Sequence, residues 1–376
     1  MKRPIQLFSL VASIAITLLI ICGGCGRNES AQKVVKVGSI LGLTGDNAAY
    51  GVKMQRGLQV ALEQINASTP TDGKKFELAV EDSQWQPKNG ISAYRKMHDL
   101  QGIRHFTAIC GSKIALAICG VSRSDDIVIV DAISGAPKLT TDGGPKYFRV
   151  YASDAMAGAK NVEWAVEEGC KTFAVAYVED EWGVSYKDAI VAALQKRGLP
   201  ALAVPIAVGA SDLRTEAKKI MDVRPDALFA VVYANLAVPL VQQVKTLGYS
   251  GKIYGGDNLS STDFAVAGAE VIEGVRLNLP AEADSPKYQE FAKLYRAKFN
   301  EDPDAFALKS FDAFTLLAHA VRSTDGSPSA VIRFLRGMPP YEGASGSISF
   351  DENGDLKTQS YNRRVYRQGK LEPFVK

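Results

Sequence analysis

From residue 34 onward the chain alternates short apolar runs with helix-periodic stretches, and this alternation limits its possible folds more than any other feature. VVKVGSIL (34–41), FELAVED (76–82), FTAIC (106–110) and IVIVDAIS (127–134) read as strands. Between them, 49–66, 87–100 and 112–124 read as helices, the second with Pro87 in its first turn. A second series begins near Ser153: helix 153–168, strand 172–180, helix 181–198, strand 201–208, helix 211–222, strand 227–235, a helix reaching Leu247 and strand 252–257. Ser211 or Asp212 is expected to cap the 211–222 helix. Strands joined by helices return with a right-handed crossover, so each series predicts a parallel sheet covered on both faces. The near-continuous apolar strands fit that burial. The fold class is therefore α/β, with two doubly wound parallel-sheet lobes. A length of 376 residues also exceeds what one core usually serves, which favours two domains. The tail (helices 285–300, 304–322 and 328–337, then SGSISFD and RRVYRQG) is too short to stand alone and is expected to pack on both lobes.

In open α/β sheets, ligands bind beyond the carboxyl ends of the strands. Those ends carry Ser39–Gly45, Ser112, Asp131–Gly135, Glu179–Trp182, Tyr233–Asn235 and Asp257. Two such edges facing each other would enclose a cleft.

Several chemistries fit poorly. LGLTGDNAAYG follows a strand but matches neither G-x-G-x-x-G nor G-x-x-x-x-G-K-[ST], so nucleotide binding is not expected there. GASGS (343–347) is not G-x-S-x-G, because its serine directly precedes the second glycine. H-E-x-x-H is absent, and Glu179-Asp180-Glu181 reads as a solvated loop rather than a cation site. No nucleophile and base pair up, so no enzymatic activity, cofactor or metal is expected. Without Lys2 and Arg3 the balance is 42 basic against 41 acidic residues, and no basic stripe interleaved with aromatics points to nucleic acid.

The N-terminus has its own signature. Lys2 and Arg3 precede a charge-free run, Ile5 to Ile21, and then ICGGC (21–25), the order of an export signal. The C-x-x-C of Cys22 and Cys25 lacks the strand–helix setting of a redox pair and the further ligands of a zinc site. The segment resembles a bacterial lipoprotein signal, with Gly23-Gly24-Cys25 at the lipidation point and Cys22 where an aliphatic residue is usual. Residues 1–25 are thus expected to be removed up to an acceptor Cys25, whose lipid would tether the protein to a membrane surface outside the cytoplasm. Cys110, Cys119 and Cys170 are read as buried apolar residues rather than as a disulfide and a free thiol.

Several motifs in order carry a wider resemblance. V-G-x-x-x-x-x-T-G-D-x-A-x-Y-G…G (Val37 to Gly57), GSKIALA, IVIVDAISGAPKLT, EDEWG, YGGDNLSS and SGSISFDENGD together are similar to the branched-chain amino acid binding proteins of ABC transporters, with the type I periplasmic binding fold. The resemblance implies two lobes joined by three chain crossings, near Tyr151, Arg276 and Pro340. One lobe would comprise 34–151 with 276–340, the other 152–275 with 341–376. It implies a monomeric receptor in the periplasm that takes an amino acid or related small ligand and hands it to an ABC permease. Amides, urea and aromatic carboxylic acids are the alternative ligands, and ligand sensing without transport is the alternative role.

The resemblance also implies a site. Ser112 would receive a ligand carboxylate at a helix start, Ile133, Ser134 and Gly135 would contact carboxylate and ammonium through their backbone, and Asp257 would pair with the ammonium. Tyr50 and Trp182 would form opposite walls, and Tyr233 or Asn235 would add another.

Overall fold

In the computed structural model, residues 33–45, 47–67, 73–281 and 285–375 are described. Elements follow the alternation expected from the sequence. They run β1 (Lys33–Leu41), α1 (Ala48–Ala67), β2 (Lys74–Asp82), α2 (Pro87–Arg95), β3 (His105–Thr107), α3 (Ser112–Val121), β4 (Val128–Asp131), α4 (Lys138–Asp142) and β5 (Tyr147–Arg149). These five strands form one parallel sheet in the order β2-β1-β3-β4-β5.

The second series runs α5 (Asp154–Glu167), β6 (Phe173–Val178), α6 (Glu181–Gln195), β7 (Ala201–Ile206), α7 (Arg214–Val223), β8 (Ala227–Val231), α8 (Ala234–Thr246), β9 (Lys252–Gly255), α9 (Thr262–Ala265), α10 (Ala269–Ile272) and β10 (Arg276–Pro280). The tail adds α11 (Pro286–Phe299), α12 (Ala305–Arg322), α13 (Pro328–Gly337), β11 (Tyr341–Gly343), β12 (Gly346–Ile348), β13 (Tyr361–Arg367) and β14 (Lys370–Pro373). The second sheet has the order β14-β13-β10-β9-β8-β6-β7, parallel from β10 to β7 with β13 and β14 antiparallel at one edge. All five residues of β8, an interior strand between β9 and β6, are buried. Each such Val, Leu or Phe is worth roughly 1.5–3 kcal/mol over exposure. Two doubly wound α/β lobes are therefore present.

Strand pairing moves two of the expected crossings. The first lies between β5 and α5, around Tyr151. The second falls after Pro280 rather than at Arg276, because β10 pairs with β9 and β13 in the second sheet. The third falls near 357–360 rather than at Pro340. Residues 341–356 belong with the first lobe: the Asp312 carboxylate on α12 accepts from the Ala344 and Ser345 N–H groups at 2.7 Å each, and Arg149 Nε reaches Asp355 Oδ1 at 2.5 Å. A hinge leaves no mark on hydrophobic periodicity, whereas these polar contacts decide which lobe a segment joins. The expected cap on α7 also shifts: its N-cap is Leu213, while the Asp212 carboxylate accepts from the Arg214 N–H at 3.1 Å. Cys110, Cys119 and Cys170 are buried, unpaired thiols, and burial pushes the first two up to about 12. Residues 1–25, including Cys22 and Cys25, lie outside the described residues.

Candidate ligand-binding site

The two sheets turn their carboxyl edges toward each other, and the lobes close over a cavity of about 50 Å³. Its lining draws on both lobes. The first lobe supplies Tyr50 on α1, Trp85 after β2, Gly111 and Ser112 at the start of α3, Ile133 after β4, and Phe306 on α12. The first crossing supplies Tyr151, and the second lobe gives Trp182, Tyr233, Asp257 and Asn258.

Ser112 is the first residue of α3 and is buried, with its Oγ accepting from the Ala136 N–H at 3.2 Å. The helix start leaves backbone N–H groups and the positive dipole end directed at the cavity mouth. Asp257 stands opposite, buried, taking a hydrogen bond from the Tyr151 hydroxyl at 2.5 Å. Burial, only partly opposed by that bond, holds its carboxyl above the usual carboxylate range. It is the one carboxyl among the described lining residues, which include no Lys, Arg or His.

Aromatic rings make up most of the wall. Trp182 stacks on Tyr233 with centroids 4.9 Å apart, and the Tyr233 hydroxyl donates to Asp180 Oδ2 at 2.9 Å, which fixes its ring. Asn235, the alternative to Tyr233, is exposed. Tyr50 packs on Phe306 at 5.0 Å, and its hydroxyl donates to the Asn258 carbonyl at 3.1 Å while accepting from the Ala234 N–H at 3.4 Å. Tyr50 is thus both a wall and a clasp between the lobes.

Ile133 lines the cavity, whereas Ser134 and Gly135 are not among its lining residues and their carbonyls are engaged elsewhere. Arg149, wholly buried, donates through Nη1 to the carbonyls of Ser134 (3.0 Å) and Ala136 (2.9 Å). The Ser134 hydroxyl donates to the Ile109 carbonyl at 3.2 Å, and the Gly135 carbonyl accepts from the Asp154 N–H at 2.8 Å. A Cβ on Gly135 would collide with the Asp154 carboxyl, so glycine there admits this contact between lobes. Burial raises that carboxyl to about 7, with Arg149 and the Ser185 hydroxyl (3.0 Å) opposing the rise.

Trp85, Gly111, Tyr151, Asn258 and Phe306 complete the lining and were missed from the sequence. Trp85 was findable, because it follows the carboxyl end of β2 and the same edge rule covers it. Tyr151 lies at the expected first crossing and Asn258 beside Asp257. Phe306 belongs to the tail and carried no local signal.

A cleft between two doubly wound lobes, closed on a small polar and aromatic cavity, defines a solute-binding receptor of the periplasmic type. The chain matches the periplasmic binding protein family over residues 34–370 and belongs to that family. Among curated relatives, the Leu/Ile/Val-binding protein BraC3 of Rhizobium johnstonii is 27% identical over 369 residues, 96% of this chain and 97% of that protein. The leucine-, isoleucine-, valine-, threonine- and alanine-binding protein of Pseudomonas aeruginosa is 24% identical, with 95% of each chain covered. The crystal structure of the leucine binding protein LivK of Thermotoga maritima shares the fold, with a TM-score of 0.85 and 24% identity over 91% of this chain and 98% of that one.

Proposed function

We propose that this protein is the extracytoplasmic receptor of an ABC importer, that it binds an amino acid or a related small ligand between its lobes, and that it delivers this ligand to the permease. One observation carries the reading: Asp257 and the Ser112 end of α3 face the same small cavity from opposite lobes. A buried carboxylate without a cationic partner is costly, so Asp257 favours a ligand bearing an ammonium or N–H donor. The start of α3 suits that ligand's carboxylate, since helix N-termini bind anions through free N–H groups. A ligand holding both groups at once ties the two lobes together, and hinge motion at the three crossings opens and closes the cleft.

The names of the relatives, which bind leucine, isoleucine, valine, threonine or alanine, support an amino acid. The export signal and Cys25 support a lipid tether that keeps the receptor near its permease. Among the described residues no helix is long and apolar enough to cross a membrane.

A thermal-shift panel of the protein without residues 1–25, spanning amino acids, amides, polyols and aromatic acids, tests the reading. A ligand at 100 times its Kd adds roughly 2.7 kcal/mol, which raises Tm by several degrees. An absence of any shift across the amino acids and amides would overturn it.

A further inference from the structure

Trp85 occupies the cleft in an unusual manner. The chain leaves β2 through Gln84 and Trp85, two successive non-glycine residues at positive φ (51° and 57°). Such backbone is costly for residues with a Cβ and persists only where its surroundings enforce it. The Asp82 carboxylate holds the turn by accepting from the Gln84 N–H at 2.8 Å, and the Ser83 hydroxyl donates to the Leu41 carbonyl at 2.9 Å.

The turn places the indole against two glycines from neighbouring strand ends. A Cβ on Gly42 would overlap the indole Nε1, and one on Gly111 would lie 2.8 Å from Cζ3. Gly111 also has φ 92°, so glycine is required there twice over. The ring meets Tyr50 edge-on at 6.2 Å and Tyr233, on the other lobe, at 5.8 Å. Trp85 is 6% exposed, and its indole N–H has no acceptor among the described residues. With Phe306 behind Tyr50, aromatic carbon fills one end of the cleft, and Ser112 and Asp257 border what remains.

The remaining space is small. The space of about 50 Å³ between Ser112 and Asp257 is bounded at one end by the indole. Leucine exceeds alanine by a whole isopropyl group, which would have to enter the end of the cleft that Trp85, Tyr50 and Phe306 fill.

We propose that Trp85 is the specificity-determining residue of this receptor, and that by filling one end of the cleft it favours amino acids with small side chains over leucine-sized ones. The inference rests on the amino-acid reading above and narrows it. Gly42 and Gly111 support the filter, since larger residues at either position would expel the indole.

Isothermal titration of the protein without residues 1–25 with glycine, alanine, serine, valine and leucine tests this, using wild type, Trp85→Ala and Trp85→Phe. Circular dichroism melts show whether each variant folds, and Trp85→Phe keeps a ring between the two glycines should the alanine variant fail. The expected result is wild-type binding of alanine or a smaller ligand at least about 100-fold tighter than leucine. In Trp85→Ala, leucine affinity rises at least tenfold while alanine affinity falls, and Trp85→Phe shifts the ratio the same way by less. Wild type binding leucine as tightly as alanine overturns the size filter and leaves the amino-acid reading standing. A preference for small ligands that both folded variants retain overturns the role of Trp85. Wild type binding none of the five overturns the filter, while the thermal-shift panel above decides the amino-acid reading separately.

Discussion

Asp257→Asn separates a binding carboxylate from a structural one, because the two roles predict opposite signs. The substitution keeps the shape of the side chain and an oxygen for the Tyr151 hydroxyl, which sits 2.5 Å from the carboxylate. It removes a charge that burial already disfavours. A carboxyl whose folded pKa lies above its unfolded value contributes most to stability at low pH, and that contribution falls as pH rises through the folded pKa. The ligand-free Asp257→Asn variant is therefore expected to match wild type near pH 4 and to be the more stable of the two at pH 7.

Ligand affinity moves the other way. A hydrogen bond to a charged group contributes about 1.5–3 kcal/mol, so losing the ammonium–carboxylate contact weakens binding by roughly one to two orders of magnitude. At a ligand concentration of 100 times the wild-type Kd, wild type gains about 2.7 kcal/mol, whereas a variant weakened 100-fold gains only about 0.4 kcal/mol. Urea denaturation with and without the amino acid giving the largest thermal shift reads both effects at once. A ligand-dependent gain equal to that of wild type removes Asp257 from the site. A marked loss of ligand-free stability at pH 7 instead makes Asp257 part of the scaffold.

Two further outcomes follow from the contacts between lobes. Tyr50→Phe removes the hydroxyl that bonds to the Asn258 carbonyl (3.1 Å) and the Ala234 N–H (3.4 Å) across the cleft; affinity is expected to fall by about 1 kcal/mol with little change in ligand-free Tm, measured by titration and melting. Asp154, raised to about 7 by burial, makes stability decline between roughly pH 4 and pH 7 as its ionised form becomes more costly. Asp154→Asn keeps a partner for Ser185 and is expected to flatten that part of the profile, which urea midpoints at several pH values would reveal; identical pH profiles would refute this assignment.

Fold class and element order were legible in the sequence because they are local. Periodicities of two and 3.6 residues, with caps and turns, decide whether 34–41 is a strand and 305–322 a helix, and the apolar runs of β6 and β8 announce a sheet buried on both faces. The edge rule located Ser112, Tyr233 and Asp257 from sequence position alone, because strand direction in a parallel sheet is set by the crossover. What the sequence left open depends on contacts between distant residues. A chain crossing was expected near Arg276, and only the pairing of Arg276–Pro280 with β9 and β13 assigned that segment to the second lobe. Ser134 and Gly135 sit at a strand end, yet Arg149 and Asp154 engage their carbonyls. Trp85 reaches the cleft only because Gly42 and Gly111, 43 residues before it and 26 after it, leave room for its indole. Local pattern thus determined what the elements are, while the close packing of side chains from two lobes decided which of them line the cavity between the lobes.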